Sequence, residues 1–237
     1  MTTLDIPIER ARILLTAIAE FADLPPAELE AISHPCRWYR YAAEEHIIRY
    51  QDTTNSAFFI IQGAIRVTYY AVSGREVILC DLSGGDMFGE LTAIDGQARS
   101  ANVVARSDAL VAIMPASDFL DLLQSNPRIS LAILKRLTRH VRRLTERVFD
   151  YSTLSVRDRI HVELLRLARP ATAQNLSVIS PAPTHADLAN LVSTHREAVT
   201  RELSELTRCG LLQRKGHELH ILDVTRLARM VEQARGI

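Results

Sequence analysis

The stretch FGELTAIDGQARSA, residues 88–101, brings a carboxylate, a guanidinium, a hydroxyl and two glycines together in a chain otherwise rich in aliphatic residues. A bound phosphate needs backbone amides, an arginine fork and often a hydroxyl. Arg99 and Ser100 supply the last two, and the glycines let the backbone come close. Glu90 would repel a phosphate, so it suits a sugar hydroxyl on the far side. The stretch predicts a site for a ribose that carries a compact phosphate, although an internal ion pair between Glu90 and Arg99 on a β-bulge loop would also account for it.

Short apolar runs surround this stretch, from Trp38 to about Ile113. They read HIIRY, SAFFIIQ, AIRVTYY, EVILCDL, ANVVA and ALVAIM, with turn signals between them at sites such as Ser73-Gly74 and Asp95-Gly96. Such closely spaced short strands are typical of a sandwich or jelly-roll barrel. Residues 8–33, which precede the strands, read as helix.

A heptad pattern begins after Asn126-Pro127. Its apolar positions, at alternating spacings of three and four, are Leu134, Leu137, Val141, Leu144, Val148 and Tyr151. The remaining positions are charged nearly all round, which leaves a narrow apolar stripe and favours a dimer helix over an amphipathic helix that packs on its own domain.

The C-terminal part predicts a DNA-reading module. A helix over residues 156–168 has Ser155 as its candidate cap, and residues 171–183 read as a loop or short hairpin. Two capping-box patterns, Thr184 to Asp187 and Thr194 to Glu197, then start two helices ten residues apart. We expect the second helix, over residues 195–206, to be a recognition helix, and LLQRKGHELHIL to form a wing that turns at Lys215-Gly216.

The second helix separates an inward and an outward face. Ala198, Val199, Leu203 and Leu206 form the first, and Arg196, Glu197, Thr200 and Arg201 form the second. Arginine can bind the O6 and N7 atoms of guanine and glutamate can accept from N4 of cytosine, so the outward face suits a G·C-containing major groove. A helix cap and a solvated surface are the alternative roles for these side chains.

Charge supports this division of the chain. Residues 1–132 carry 10 Lys and Arg against 17 Asp and Glu, whereas residues 133–237 carry 18 against 11. The basic half indicates a polyanionic partner. Three dispersed cysteines exclude a disulfide framework and a cysteine-ligated metal site, and the absence of a long apolar run or leader predicts a cytoplasmic protein without membrane association.

The cassette of residues 88–101, together with the Gly63 and Gly74 turns before it, resembles the phosphate-binding cassette of cyclic-nucleotide-binding domains. Residues 10–225 as a whole resemble bacterial regulators of the cyclic AMP receptor and fumarate-nitrate regulator (CRP/FNR) family. The resemblance implies an α+β chain in three parts: a jelly-roll cyclic-nucleotide-binding domain at 1–126, a dimerisation helix and hinge at 127–152, and a winged helix-turn-helix domain at 153–237. The dispersed cysteines and histidines, with no triad or metal-ligand spacing, predict no catalytic residue and no metal site.

Site residues follow from the resemblance. Glu90 would bind the ribose 2′-hydroxyl, Arg99 and Ser100 the cyclic phosphate, and Leu144 and Thr145 stand where two hydroxyl residues contact adenine. The implied ligand contacts are Gly89, Glu90, Leu91, Arg99, Ser100, Ala101, Leu144 and Thr145. The implied DNA contacts, in which the base-reading triplet for a TGTGA-type half-site is intact, are Thr184, Thr194, His195, Arg196, Glu197, Thr200, Arg201 and Lys215.

Departures from the family pattern leave alternatives open. Leu144 carries no hydroxyl, and Ser100 could reach a guanine amino group, so both cyclic AMP and cyclic GMP stay possible as allosteric ligands. Ser193 and Thr194 replace the usual turn glycine and its neighbour. The expected partners are double-stranded DNA, a cyclic nucleotide, a second copy of the chain and, for an activator, RNA polymerase. The second hypothesis is a DNA-binding regulator that senses haem, a redox signal or no ligand. The third is an enzyme, which the dispersed histidines give little support.

Overall fold

A computed structural model describes residues 1–71, 76–171 and 175–236. The chain divides into two compact units, Met1–Arg139 and His140–Ile237. The predicted Ser73-Gly74 turn and part of the predicted 171–183 loop lie outside the described residues. None of the helices within those residues has the length and apolar character that a membrane crossing requires.

The first unit is built on two antiparallel sheets. Their strands are β1 (Thr2–Leu4), β2 (Arg37–Tyr41), β3 (His46–Ile48), β4 (Ala57–Gln62), β5 (Ala64–Tyr70), β6 (Glu76–Ser83), β7 (Met87–Phe88), β8 (Asn102–Ala105) and β9 (Ala109–Met114). One sheet has the order β1-β2-β9-β4-β7 and the other β3-β8-β5-β6. Side chains from both sheets share one core, which confirms the predicted sandwich.

Helices cover the outer face of the larger sheet. They are α1 (Ile8–Leu15), α2 (Pro26–Ser33), α4 (Ala116–Ser125) and the start of α5 (Pro127–Thr153), while the short α3 (Glu90–Asp95) follows β7. In β4, Phe58 and Ile60 pack between the sheets, and Phe59 and Ile61 pack against the helices. This strand is buried on both faces, so its sequence is continuously apolar rather than alternating.

The helical prediction for residues 8–33 is confirmed as two helices, not one continuous element, and prolines stand at the start of the second. The helix α1 ends at Leu15, and α2 begins at Pro26 after an extended Pro25. Pro25 disfavours helical backbone at the residue before it, and Pro26 is suited to a first helical turn, so this proline pair starts a second helix instead of continuing the first.

The second unit contains the rest of α5 and a winged-helix arrangement. Its elements are α6 (Val156–Leu167), β10 (Arg169–Pro170), β11 (Ser177–Ile179), α7 (His185–Leu191), α8 (Arg196–Arg208), β12 (Leu212–Lys215), β13 (Glu218–Ile221) and α9 (Val224–Arg235). The sheet order is β10-β11-β13-β12, and a core of aliphatic side chains joins sheet and helices. Ser155 caps α6 by accepting from the Asp158 amide, as predicted.

Candidate ligand cassette and nucleic-acid interface

The cassette is a strand, a short helix and a loop, whereas the sequence indicated a single loop. Gly89 follows β7 and precedes α3 with a φ of +76°, which favours glycine. A side chain at Gly89 would also have no room, since its Cβ would lie 2.7 Å from Nη1 of Arg99 and 2.9 Å from Cδ2 of Phe58. Backbone conformation and close packing therefore both require glycine here.

Arg99 is buried, with 2% of its surface exposed, and it connects three segments of the sandwich. Its Nη1 donates to the Gly89 carbonyl at 3.0 Å, Nη2 to the Ser56 carbonyl at 2.8 Å and Nε to Thr54 Oγ1 at 3.2 Å. The guanidinium also lies 5.3 Å from the centre of the Phe58 ring. A guanidinium has five N–H groups, so two remain for a phosphate.

Glu90 begins α3 and is half-buried. Burial raises the pKa of its carboxyl above the ordinary 4.5, while the charges of Arg136 and Arg99 oppose that shift. All three Arg99 hydrogen bonds go to other groups, so the alternative of a Glu90–Arg99 ion pair is not what the side chains form. The carboxylate and the guanidinium thus remain separate binding groups.

The other predicted cassette residues differ in exposure. Leu91 on α3 is 44% exposed, Ser100 is exposed and Ala101 is buried. Ser100 therefore presents its hydroxyl at the surface directly after the buried Arg99. Ala101 and Leu91 place backbone and apolar surface around the same loop.

A charged cluster beside the cassette was missed by the sequence reasoning. Arg136 of α5 donates to the Met87 carbonyl at 2.6 Å and to Asp86 Oδ1 at 3.3 Å, and it lies 3.7 Å from Glu20 Oε1. Glu20 is nearly buried, and among the described residues nothing donates to its Oε2. Residues far apart in sequence form this cluster. The sequence indicated it only through an arginine, Arg136, next to the apolar stripe of a helix.

Positions of the heptad pattern have two different environments. Leu134, Val141, Leu144 and Val148 are 59%, 61%, 48% and 65% exposed. Leu137 instead packs against the first unit's core, and the Tyr151 hydroxyl donates to the Leu191 carbonyl at 2.7 Å in the second unit. At these two positions of the predicted heptad pattern, the side chains are therefore in contact with other residues of the same chain.

Leu144 and Thr145 lie in the part of α5 that belongs to the second unit. Both side chains are exposed, and Thr145 Oγ1 donates to the Val141 carbonyl one turn earlier, at 3.0 Å. Their role as base contacts stays a prediction.

The reader begins at α7, which Thr184 caps by accepting from the Asp187 amide at 3.0 Å, as predicted. The second capping box was wrong. Helix α8 begins at Arg196, His195 is its N-cap residue without a side-chain capping bond, and Thr194 is buried in the turn. The turn is made by Ser193 at φ +53°, a left-handed conformation that a residue other than glycine adopts at some cost.

The faces of α8 agree with the prediction. Val199 and Leu206 are buried in the core, with Leu203 packed beside them. The outward set is exposed, and so are the neighbouring predicted DNA contacts; these residues are Arg196, Glu197, Thr200, Arg201, His195, Thr184 and Lys215.

One contact within the reader was not foreseen. His185 of α7 has Nδ1 2.8 Å from Thr200 Oγ1 on α8. Thr200 itself donates to the Arg196 carbonyl at 3.0 Å. The histidine therefore acts as donor to Thr200 and fixes one side chain of the predicted DNA-facing surface.

Comparison with known proteins identifies both domains. Residues 38–126 match the cyclic nucleotide-binding domain, and residues 158–230 match the Crp-like helix-turn-helix domain. The cAMP-activated global transcriptional regulator Vfr of Pseudomonas aeruginosa is 31% identical over 193 residues, which cover 79% of this chain and 90% of Vfr. The corresponding CRP of Pasteurella multocida is 29% identical over 187 residues, with 78% and 89% covered.

Solved structures share the fold. The c-di-GMP responsive regulator CLP of Xanthomonas campestris has a TM-score of 0.71 at 23% identity, covering 83% of this chain and 99% of CLP. FixK2 of Bradyrhizobium japonicum has a TM-score of 0.70 at 18% identity, with 82% and 96% covered.

A cyclic-nucleotide-binding sandwich followed by a helix-turn-helix reader defines a ligand-responsive transcription regulator. The chain belongs to the CRP/FNR family. It is thus a cyclic-nucleotide-binding, DNA-binding transcription regulator, and its relatives are regulators rather than enzymes.

Proposed function

We propose that this protein is a homodimeric regulator that responds to cyclic AMP and binds a palindromic operator with TGTGA-like half-sites. The observation that carries the ligand part is the separation of Glu90 from Arg99. Glu90 accepts no bond from Arg99, which is committed to carbonyl and hydroxyl oxygens. Each group is thus available for one end of a ribose cyclic phosphate.

In this proposal the cassette binds the two ends of the ligand with different groups: a carboxylate binds the ribose, and a guanidinium and a hydroxyl bind the phosphate. Ionised Glu90 accepts from the ribose 2′-hydroxyl, and Arg99 and Ser100 donate to the cyclic phosphate. The Gly89 and Ala101 backbones and the Leu91 side chain complete the surround. Gly89, in a left-handed conformation directly before α3, makes Glu90 the first residue of that helix. The buried guanidinium of Arg99 bonds to other groups, so the Glu90 carboxylate stays available for the ribose.

We favour adenine as the base, and therefore cyclic AMP as the ligand. Vfr and CRP are cAMP-activated proteins, and Thr145 keeps a hydroxyl at one of the two base-contacting positions. Cyclic GMP is the second candidate. It rests on the exposed Ser100 hydroxyl and on Leu144, which offers no hydrogen bond to adenine.

The dimer is supported by the exposed apolar stripe of α5. Leu134, Val141, Leu144 and Val148 are each about half exposed or more, at heptad spacing. Such a stripe on a helix is stabilised by a matching stripe of a second copy. Two copies related by a twofold axis would place their recognition helices about 34 Å apart, one turn of DNA.

DNA recognition is proposed for the exposed face of α8. Arg196 and Arg201 would donate to guanine, and Glu197 would accept from cytosine. Contacts to the DNA phosphates and sugars would come from Thr184, Thr194, His195, Thr200 and Lys215. We retain the predicted division into a ligand domain at 1–126, a dimer helix and hinge at 127–152 and a reader at 153–237. RNA polymerase would be a further partner if the protein is an activator.

The deciding experiment measures DNA affinity with cyclic AMP and cyclic GMP side by side. A fluorescent duplex with two TGTGA half-sites is titrated with protein, and a scrambled duplex is the control. We expect cyclic AMP to raise affinity for the palindrome by at least about tenfold and to leave the scrambled duplex unchanged. If only cyclic GMP raised the affinity, guanine would replace adenine as the proposed base. If neither nucleotide changed the affinity, the cyclic-nucleotide proposal would be refuted.

A further inference from the structure

A cavity of about 240 Å³ lies in the second unit among α5, α6, the end of α7 and α9. No residue of α8 or of the wing lines it, so it is separate from the proposed DNA face. Five arginines and three carboxylates line it, together with Tyr151 and aliphatic side chains. The lining thus carries a formal surplus of two positive charges.

Two of the three carboxylates are already bound by arginine forks. Asp150 accepts from Nε and Nη2 of Arg235 at 3.0 and 2.7 Å. Glu163 accepts from Arg166 in the same two-pronged way, with Nε at 2.8 Å. The third, Glu146, is exposed. The three carboxylates that line the cavity therefore do not neutralise all of its arginines.

Arg159 is the most informative of the remaining arginines. Its guanidinium lies 5.3 Å from the centre of the Tyr151 ring, and its Nε is buried with no acceptor among the described residues. Arg143, exposed on α5, lines the same cavity and has no acceptor in the described part of the chain. A buried N–H without an acceptor is costly and uncommon, so an acceptor from outside the chain is expected at this point.

We propose that this cavity binds a small phosphate monoester, held by Arg159 and Arg143. A dianion matches the surplus of two charges, and a phosphate takes the two-pronged guanidinium geometry. The volume, about 240 Å³, is more than a phosphate group alone fills. Val162, Leu165 and Val231 provide apolar lining for a small organic part.

The site is distinct from the cyclic-nucleotide cassette and does not depend on it. Arg143 comes from α5 and Arg159 from α6, so a phosphate bound to both would connect these two helices within the second unit. The ligand is a second, independent anion for the protein.

Calorimetric titration of the full chain with inorganic phosphate and with glycerol 3-phosphate, at constant ionic strength, tests the proposal. We expect saturable binding that Arg159→Gln weakens about tenfold. Arg143→Gln, at an exposed position that poses little risk to folding, is expected to weaken it about threefold. Arg142→Gln removes the same charge from an exposed residue of α5 outside the cavity and should leave affinity unchanged.

The outcomes separate the possible sources of phosphate. Binding of glycerol 3-phosphate at least about tenfold tighter than inorganic phosphate supports the monoester, and equal binding assigns the site to free phosphate. The absence of saturable binding, or an equal loss in Arg142→Gln and Arg159→Gln, overturns the site. Loss of binding in Ser100→Ala would move the phosphate to the cassette, and competition by duplex DNA would assign the arginines to DNA; both results refute the proposal.

Discussion

His161 Nε2 lies 2.6 Å from Glu202 Oε1 and joins α6 to α8. The histidine side chain is 1% exposed, and its Nδ1 has no partner among the described residues. Because a carboxylate oxygen accepts, Nε2 carries the hydrogen. Among the described residues, Glu202 therefore provides the side-chain acceptor that fixes the buried ring beneath α8, the proposed recognition helix.

Glu202→Ala is expected to lower the free energy of unfolding by about 2 kcal/mol, since it leaves a buried ring N–H without an acceptor. Urea denaturation followed by circular dichroism measures the change. Glu205→Ala is the control, because Glu205 is 45% exposed and pairs with Arg208 on the surface, and we expect it to cost about 0.5 kcal/mol. Equal losses in the two variants would contradict the role given to Glu202.

Gly89→Ala is expected to weaken cyclic-nucleotide binding at least about tenfold, because the new methyl group would lie 2.7 Å from Arg99 Nη1 and displace the guanidinium. Gly96→Ala is the matched control. Gly96 also has a positive φ, +69°, but nothing lies within 4 Å of its Cβ position. Both variants carry backbone strain of about 1 kcal/mol, and only the first should lose affinity in calorimetric titration. A similar loss in both would show that strain alone matters.

Cyclic-nucleotide affinity is expected to rise with pH in the range where Glu90 loses its proton. Burial raises the pKa of Glu90 above 4.5, and the ionised carboxylate is the form that accepts from a ribose hydroxyl. The ligand-free fold should show the opposite trend: with the pKa raised, the contribution of Glu90 to stability is present below 4.5 and is lost as pH rises through the folded-state pKa. Titrations between about pH 5 and about pH 8 measure both. Glu90→Gln should bind more weakly and remove the pH dependence; a persistent slope would assign it to another group.

Val141→Lys is expected to weaken the dimer about hundredfold, because the charge enters the apolar stripe once from each copy. Sedimentation analysis of protein dilution series measures the dissociation constant. Phe149→Lys is the control, since Phe149 is an exposed apolar residue of the same helix outside the stripe. A dimer that persists unchanged in Val141→Lys would place the interface elsewhere.

Glu197→Ala is expected to relax specificity at one base pair of the half-site, at a cost of about 1 to 3 kcal/mol for the preferred base. Lys215→Ala should weaken binding to all duplexes alike and reduce the salt dependence. A set of duplexes that vary one base pair at a time, measured at two salt concentrations, distinguishes the two effects. If the variants gave the same losses on specific and random duplexes, the assignment of the α8 face would fail.

Local patterns predicted most of the fold. The strand runs and the Thr184 cap depend on neighbours within a few residues, so the sequence contains the information needed to place them. The second capping box failed although Thr194 and Glu197 have the right spacing. Thr194 is buried in a turn made by Ser193, and the hydrophobic packing of Val199 and Leu206 fixes where α8 begins.

Contacts between distant segments were beyond sequence reasoning. The Arg136 bond to the Met87 carbonyl joins residues 49 positions apart, and the cluster around it gives no periodic signal. The cassette residues could be proposed from sequence because all six lie between Gly89 and Ala101. Their burial was not foreseen, and in particular nothing in the sequence indicated that Arg99 donates to carbonyl groups of two other segments.

The burial of Arg99 has an evolutionary consequence. Its guanidinium closes the Gly89 and Ser56 loops before any ligand binds, so selection for a folded sandwich and selection for ligand recognition act on the same side chain. A descendant that had lost its cyclic nucleotide would still be expected to keep this arginine. The exposed Ser100 has no such second role, and its replacement would be the earlier sign that the signal had been abandoned.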